Sequence, residues 1–323
     1  MKWLERLILL AGLATVGYLL WRFDARAVWG MISQVGLLGF ACILSFQIFD
    51  HALNALGWRF GFAAEDAGRA SLPLLIKARI AGDGVNYLTP SATIAGELIR
   101  PGMLGPVLPE EIKNSSVVVA KFAQAMGQAF FIVFGMIFVL HGKLNFLEGK
   151  EWALGMGGAL VIIAAVGSGL WLATAETTPA FIARFKGVDA LRGRMGAYLR
   201  RHPGRYVLSV LFFMLGYGWG AAETLLICHF MRLPISPLTA LAAEVLSNVI
   251  DALMFMVPAK MGTQEGGKTL IFKGLGYQAS QGLAFGLIRH TREFCWAGLG
   301  FAFYALNRRR APTAAPPPSA ALP

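Results

Sequence analysis

The chain has 323 residues, of which 56% are hydrophobic and only 15% charged, and its mean hydropathy of +0.58 is too high for a soluble domain of this length. Its formal net charge of +11 fits the cytoplasmic Lys/Arg excess of membrane proteins better than a nucleic-acid surface, because no nucleic-acid motif accompanies it. Several stretches approach or exceed the roughly 20 apolar residues that cross a bilayer, and they are continuous and not alternating, which argues against a barrel. The expected class is all-α, a polytopic helical membrane protein.

A first apolar span covers about 4–21. Its apolar run, Leu7 to Trp21, follows Lys2 and Arg6 as a signal peptide would, but Arg22 and Arg26 come after it without a small-residue cleavage site, so it reads as a retained helix. The second span covers about 35–58, and the polar run Glu65 to Arg69 follows. The segment at about 72–104 is no ordinary span: it contains Lys77, Arg79, Asp83, Asn86, Pro90, Glu97 and Arg100, and Leu104-Gly105-Pro106 breaks it. Spans at about 113–140 and 152–174 come next. The basic stretch at about 176–204 is long enough for a surface helix, and seven basic residues fall between Arg184 and Arg205. A span at about 205–230, a second charged segment at about 236–276 and a last span at about 281–306 complete the membrane part. The tail from Ala311 to Pro323 is Ala/Pro-rich and is expected to be disordered. Cys42, Cys228 and Cys295 lie in apolar stretches without CxxC spacing and read as small core hydrophobes.

The two charged segments carry the same pattern. Asp83, Pro90, Glu97, Arg100 and Lys121 recur as Asp251, Pro258, Glu265, Lys268 and Arg289, every pair 168 residues apart. Charge inside a membrane segment is costly and marks function by default. The basic residues place the N-terminus, the 59–71 loop, the 176–204 stretch and the C-terminus in the cytoplasm. The first charged segment then enters from the cytoplasm and returns to it, and the second enters from outside and returns there. Each is a proline-broken hairpin, either re-entrant or fully spanning. The expected architecture is one transmembrane domain over 1–308, with a tail at 309–323. It contains two inverted helix–hairpin–helix repeats, at about 35–140 and 203–308, and about six full crossings. Inverted repeats are an architecture of alternating-access transporters.

Pro90 and Pro258 remove a backbone donor and disfavour helix at the preceding residue, so each either kinks its helix or unwinds it beside a polar cavity. Thr89, Ser91 and Thr93 are placed to satisfy freed backbone groups. Glu97 with Arg100, and Glu265 with Lys268, share a helix face at i,i+3. Each pair either neutralises itself or offers its cation to an anionic headgroup; arginine suits phosphate because its planar fork bonds bidentately. Lys121, Arg289 and Arg292 either add positive charge to the same cavities or snorkel to the interface. Asp83 and Asp251 read as hydrogen-bonded anchors of the hairpins, or as proton sites. Asn86, Gly96 and Gly262 belong to the hairpin framework, the last as a tight-turn glycine. Asp50, His51, Asn54 and Trp58 lie on overlapping faces of one span, as an interhelical hydrogen-bond cluster or a proton relay. No HExxH, GxSxG or P-loop pattern occurs, and His141, His202 and His290 have no metal spacing. No catalytic residue, metal or other cofactor is expected.

At these residues the chain resembles the flippase-like transmembrane family typified by the membrane half of lysylphosphatidylglycerol synthases. The carriers are Pro90, Gly96-Glu97 and Arg100, with Pro258, Gly262, Glu265 and Gly266, and the likeness covers essentially residues 1–308. The family usually pairs glycines before the first glutamate, where this chain has Ala95-Gly96. The run from Gly82 to Pro90 further resembles a bacterial subgroup associated with hopanoid biosynthesis. The resemblance implies a protein of the bacterial inner membrane that moves or handles a lipid, whether phospholipid, hopanoid or polyprenyl phosphate. Aminoacyl transfer is not implied, since in the synthases it belongs to a soluble domain after the membrane part. The expected function is a lipid translocase without enzymatic activity. Arg100, Lys121, Lys268 and Arg289 would meet the headgroup, and Glu97 and Glu265 would gate it. The alternative is a non-transporting accessory protein that works through its basic 176–204 surface with a lipid-biosynthesis enzyme or a polyprenyl-phosphate carrier.

Overall fold

A computed structural model describes residues 14, 17–22, 25–89, 95–141, scattered positions within 157–171, 188–254, 257 and 260–310. Among them all regular structure is helical. The expected spans at about 4–21 and 152–174 lie largely outside the described residues, and Pro90, Ser91, Thr93, Pro258 and the tail lie wholly outside them.

Helix α1 (Ala25–Arg59) starts earlier than the sequence suggests, but Gly36 divides it with φ 61 and ψ 177. Only glycine takes that backbone without a Cβ penalty, so the break falls where the second span was expected to begin. The first charged segment is α2 (Leu72–Leu88) and α3 (Ala95–Met103), closed by a 3-10 turn at Gly105–Val107. Next come α4 (Glu110–His141), α5 (Val188–Arg201) and α6 (Pro203–Phe230). The second charged segment is α7 (Pro237–Leu253) and α8 (Thr263–Gly274), and α9 (Ala279–Arg310) completes the described chain.

Local chemistry explains these boundaries. Proline occupies the first turn of α2, α6 and α7, where a missing N–H costs nothing. Ser236 caps α7 by accepting the Thr239 N–H at 3.1 Å. Helix α2 stops at Thr89, whose φ of −115 and ψ of 138 are the extended backbone that a following proline imposes. The Thr89 hydroxyl turns back to the Val85 carbonyl at 2.6 Å. The basic stretch does contain a surface helix, α5, tied to the 60–62 turn. Its Tyr198 hydroxyl donates to the Phe60 carbonyl, and Arg205, at the start of α6, donates to Phe62 O at 2.8 Å.

Packing partners follow the same 168-residue spacing. Helix α2 packs on α9 and its counterpart α7 on α4; α1 packs on α2 and α6 on α7; α1 and α6 pack on each other. Small residues allow the closest of these contacts. A Cβ at Gly84 or Gly300 would strike backbone across the α2–α9 crossing, and one at Gly57 would strike Phe213 across α1–α6. One apolar cluster joins Trp58, Phe62, Leu75 and Phe213; another joins Ile43, Ile227, Phe272 and Phe285. Large side chains such as Trp29, Leu37, Phe138 and Phe301 stay exposed, which suits lipid and not water.

Helices α1, α4 (through Phe138) and α6 are long and apolar enough to cross a membrane. Helix α9 has the length, 32 residues or about 48 Å, but Arg289, Arg292 and Glu293 interrupt its apolarity. Of the three cysteines only Cys228 is buried; Cys42 and Cys295 are exposed, so the reading of all three as core residues fails for two.

Candidate functional site

In the first charged segment α2 and α3 are clamped together. The Gly96 N–H donates to Asn86 Oδ1 at 2.6 Å, and a Cβ at Gly96 would collide with the Gly82 carbonyl and Asn86. This contact brings Asp83 of α2 to Arg100 of α3 at 2.6 Å. Arg79 also reaches Asp83, at 3.2 Å. The other end of the Arg100 guanidinium donates to Glu97, which accepts Lys121 from α4 at 3.1 Å. The result is an alternating chain of charge, Arg79–Asp83–Arg100–Glu97–Lys121, with both arginines buried.

The second segment does not repeat that chain. Asp251 pairs with Lys260 at 2.8 Å, across the break between α7 and α8. Lys260 holds a left-handed φ of 51, uncommon for a residue with a Cβ. Glu265 accepts the Gly262 N–H at 2.9 Å and contacts His290. Arg289 donates to both oxygens of Glu244, at 2.5 and 2.9 Å. Lys268 is 4% exposed and has no hydrogen bond or ion pair among the described residues. The expected i,i+3 pairing therefore holds for Glu97–Arg100 and fails for Glu265–Lys268. The physical reason is competition. His290, Lys260 and Glu244 replace Phe122, Ala92 and Ile76 at the matching positions of the first half, and each captures one of the duplicated residues.

The two segments meet at a polar cavity of ≈ 240 Å³. Its wall carries six carboxylates (Asp50, Asp83, Glu223, Glu244, Asp251 and Glu293) and four cations (Arg79, Lys260, Arg289 and Arg292). The basic cavity expected from the sequence is thus an acid-rich one in which the cations are already paired. Of the candidate residues, Asp83, Asp251, Arg289 and Arg292 line it; Glu97, Arg100, Lys121, Glu265, Lys268, Asn86, Gly96 and Gly262 do not. Arg292 does not snorkel. It is 4% exposed and donates to Glu223, to Gln47 and, at 3.1 Å, to Glu293.

Helix α1 supplies one side of the wall. Asp50 accepts from Gln47 at 2.9 Å and from Asn54 at 3.0 Å, while Trp58 turns away to donate to Ser116 of α4 at 3.1 Å. His51 lies 3.8 Å from Asp83, beyond hydrogen-bond length. Glu223, Glu244, Lys260 and Glu293 were not singled out in the sequence, because none has a charged counterpart 168 residues earlier. The rule that a charge within an apolar span is functional by default would have found Glu223 and Glu244. Among the described residues no group of three His, Cys, Asp or Glu side chains is placed to hold a metal.

Comparison with known proteins agrees with a helical membrane protein. A family model described as Lysylphosphatidylglycerol synthase TM region matches residues 7–300. No curated protein and no solved structure matches the chain.

Proposed function

The chain belongs to the lysylphosphatidylglycerol synthase TM region family, and from that premise we propose that it translocates an amphiphilic lipid across the bacterial inner membrane. The headgroup passes through the polar cavity while the acyl or other apolar part stays in lipid. The observation that carries the reading is the cavity itself: ten acidic and basic side chains from both halves face one space inside an apolar helical protein. A buried polar chamber is costly in a membrane unless it conducts something polar. The recurrence of the helix contacts at the 168-residue spacing supports two repeats, which in this reading are inverted and rock against each other, and the distribution of basic residues supports cytoplasmic termini. In this reading the protein performs no chemistry. Asp83 and Asp251 join the arms of the two hairpins through Arg100 and Lys260, and Arg289 and Arg292 order the chamber wall.

Reconstitution in liposomes with a fluorescent lipid tests it. The protein accelerates transbilayer movement over empty liposomes. The Glu244→Gln/Arg289→Gln protein, which loses both members of one wall pair and so strands no charge, is slowed about tenfold, the equivalent of ~1.4 kcal/mol. Equal movement in protein-containing and empty liposomes sinks the proposal.

A second reading, an accessory protein docking a lipid-biosynthesis enzyme, draws on α5, whose Arg194 is 44% exposed on its side chain and reaches Glu111 at 3.2 Å. Neutralising Arg194, Arg200 and Arg201 abolishes function in that case and spares transport in the first.

A further inference from the structure

Beside the central chamber a cavity of ≈ 200 Å³ opens between α1, α2 and α9, lined by His51, Asp83, Tyr87, Arg292, Glu293 and Trp296 among others. Buried polar atoms without a hydrogen-bond partner concentrate on these residues. Both ring nitrogens of His51, 6% exposed, and Nε of Arg292, 4% exposed, have none. The Tyr87 hydroxyl makes a weak hydrogen-bonding contact with Glu293, short of full hydrogen-bond geometry, and the second oxygen of Glu293 has no partner of full geometry. Buried groups of this kind normally find a partner in protein, water or ligand.

The charges, by contrast, are already engaged. Asp83 holds Arg79 and Arg100, Lys260 holds Asp251, and Arg292 holds Glu223 and Glu293. Asp50 accepts the amides of Gln47 and Asn54. A ligand with a net negative charge would enter this wall without a free counter-charge, since Lys260 and Arg292 are already paired. A neutral hydroxyl is donor and acceptor at once. It matches an imidazole that offers one of each, a phenol and a carboxylate oxygen. Trp296, its ring 4.7 Å from that of His51, and Tyr87 add aromatic faces for the C–H side of such a group.

We infer that this cavity binds the hydroxyls of a neutral polyol headgroup, an uncharged sugar or short polyol carried on a lipid. The inference rests on the transport reading and narrows its substrate from any amphiphile to a neutral, hydroxylated one.

The test uses the full chain in nanodiscs, read by tryptophan fluorescence and by thermal melting. The probes are monoglucosyl diacylglycerol, free glucose, and phosphatidic acid with the same acyl chains. The glycolipid raises the melting temperature and perturbs the emission, and phosphatidic acid does not displace it. Tyr87→Phe and His51→Phe each weaken glycolipid binding about tenfold, the scale of one lost hydrogen bond. Each lowers the melting temperature of the ligand-free protein little, because each removes only a weak polar contact, that of Tyr87 with Glu293 and that of His51 with Asp83 at 3.8 Å. Saturation by free glucose at the same concentration supports the polyol chemistry and assigns the site to a soluble sugar. Equal or tighter binding of phosphatidic acid, no binding of either glucosyl probe, or unchanged affinity in both variants overturns the inference. Liposome assays keep the two readings apart. Glycolipid binding without movement of any lipid removes the transport reading alone, and movement of phosphatidic acid without glycolipid binding removes this one alone.

Discussion

Glu244 illustrates how a single carboxylate redirects a residue that its sequence pattern assigns elsewhere. Arg289 occupies the position of Lys121, which bonds the motif glutamate Glu97, yet Arg289 turns to Glu244. Its nearest other carboxylate, on Glu223, stands 3.7 Å away. Glu244→Gln therefore leaves the Arg289 guanidinium with the longer Glu223 contact alone and lowers stability by about 1–3 kcal/mol, read as a fall in melting temperature in detergent. The duplicated cations Arg100 and Lys268 make a sharper contrast. Arg100→Met breaks two part-buried contacts, to Asp83 and Glu97, and costs about 2–4 kcal/mol. Lys268→Met removes a buried ammonium with no partner among the described residues, and leaves stability unchanged or raises it. Equal losses in the two variants would show that the matched positions are equivalent after all.

Between helices, contact distance decides what each glycine is for. Gly96 and Gly102 both lie in α3, and sequence alone does not rank them. A Cβ at Gly96 meets the Gly82 carbonyl and the Asn86 side chain, whereas one at Gly102 meets nothing within 4 Å. Gly96→Ala thus pushes α3 off α2 and pulls Arg100 from Asp83, destabilising by about 1–3 kcal/mol or more. Gly102→Ala is neutral or stabilising by up to ~1 kcal/mol, as expected for glycine replaced in a helix. Chemical denaturation or thermal melting of the two variants separates them. The helix boundaries were largely legible, because proline, glycine and apolar run length act over a few residues. The start of α1 was not, because one glycine in left-handed backbone lets two helical stretches continue as a single element.

At the scale of the molecule, the asymmetry of basic residues predicts both termini on the cytoplasmic side. A fluorescent protein fused at the C-terminus should fold and emit, while a periplasm-dependent phosphatase at the same place should stay inactive; the reverse pattern overturns the orientation. The all-helical membrane class, the bounds of α4 and α6 to within a few residues, and the starts of α2 and α7 could be read from the chain. Hydropathy, proline and spacing are local or periodic properties, and a linear sequence carries them in full. The sign and ownership of the cavity could not be read in this way. Glu223, Glu244, Lys260 and Glu293 enter it from α6, α7, the α7–α8 break and α9, and only the packing of those elements brings them within reach of Arg289, Arg292 and Asp251. An ion pair forms with whichever partner is nearest in space, and that distance is set by the tertiary structure. The sequence by itself determined that charge would be buried twice in this membrane protein; the fold decided which charges meet, and left both ring nitrogens of His51 without a hydrogen bond among the described residues.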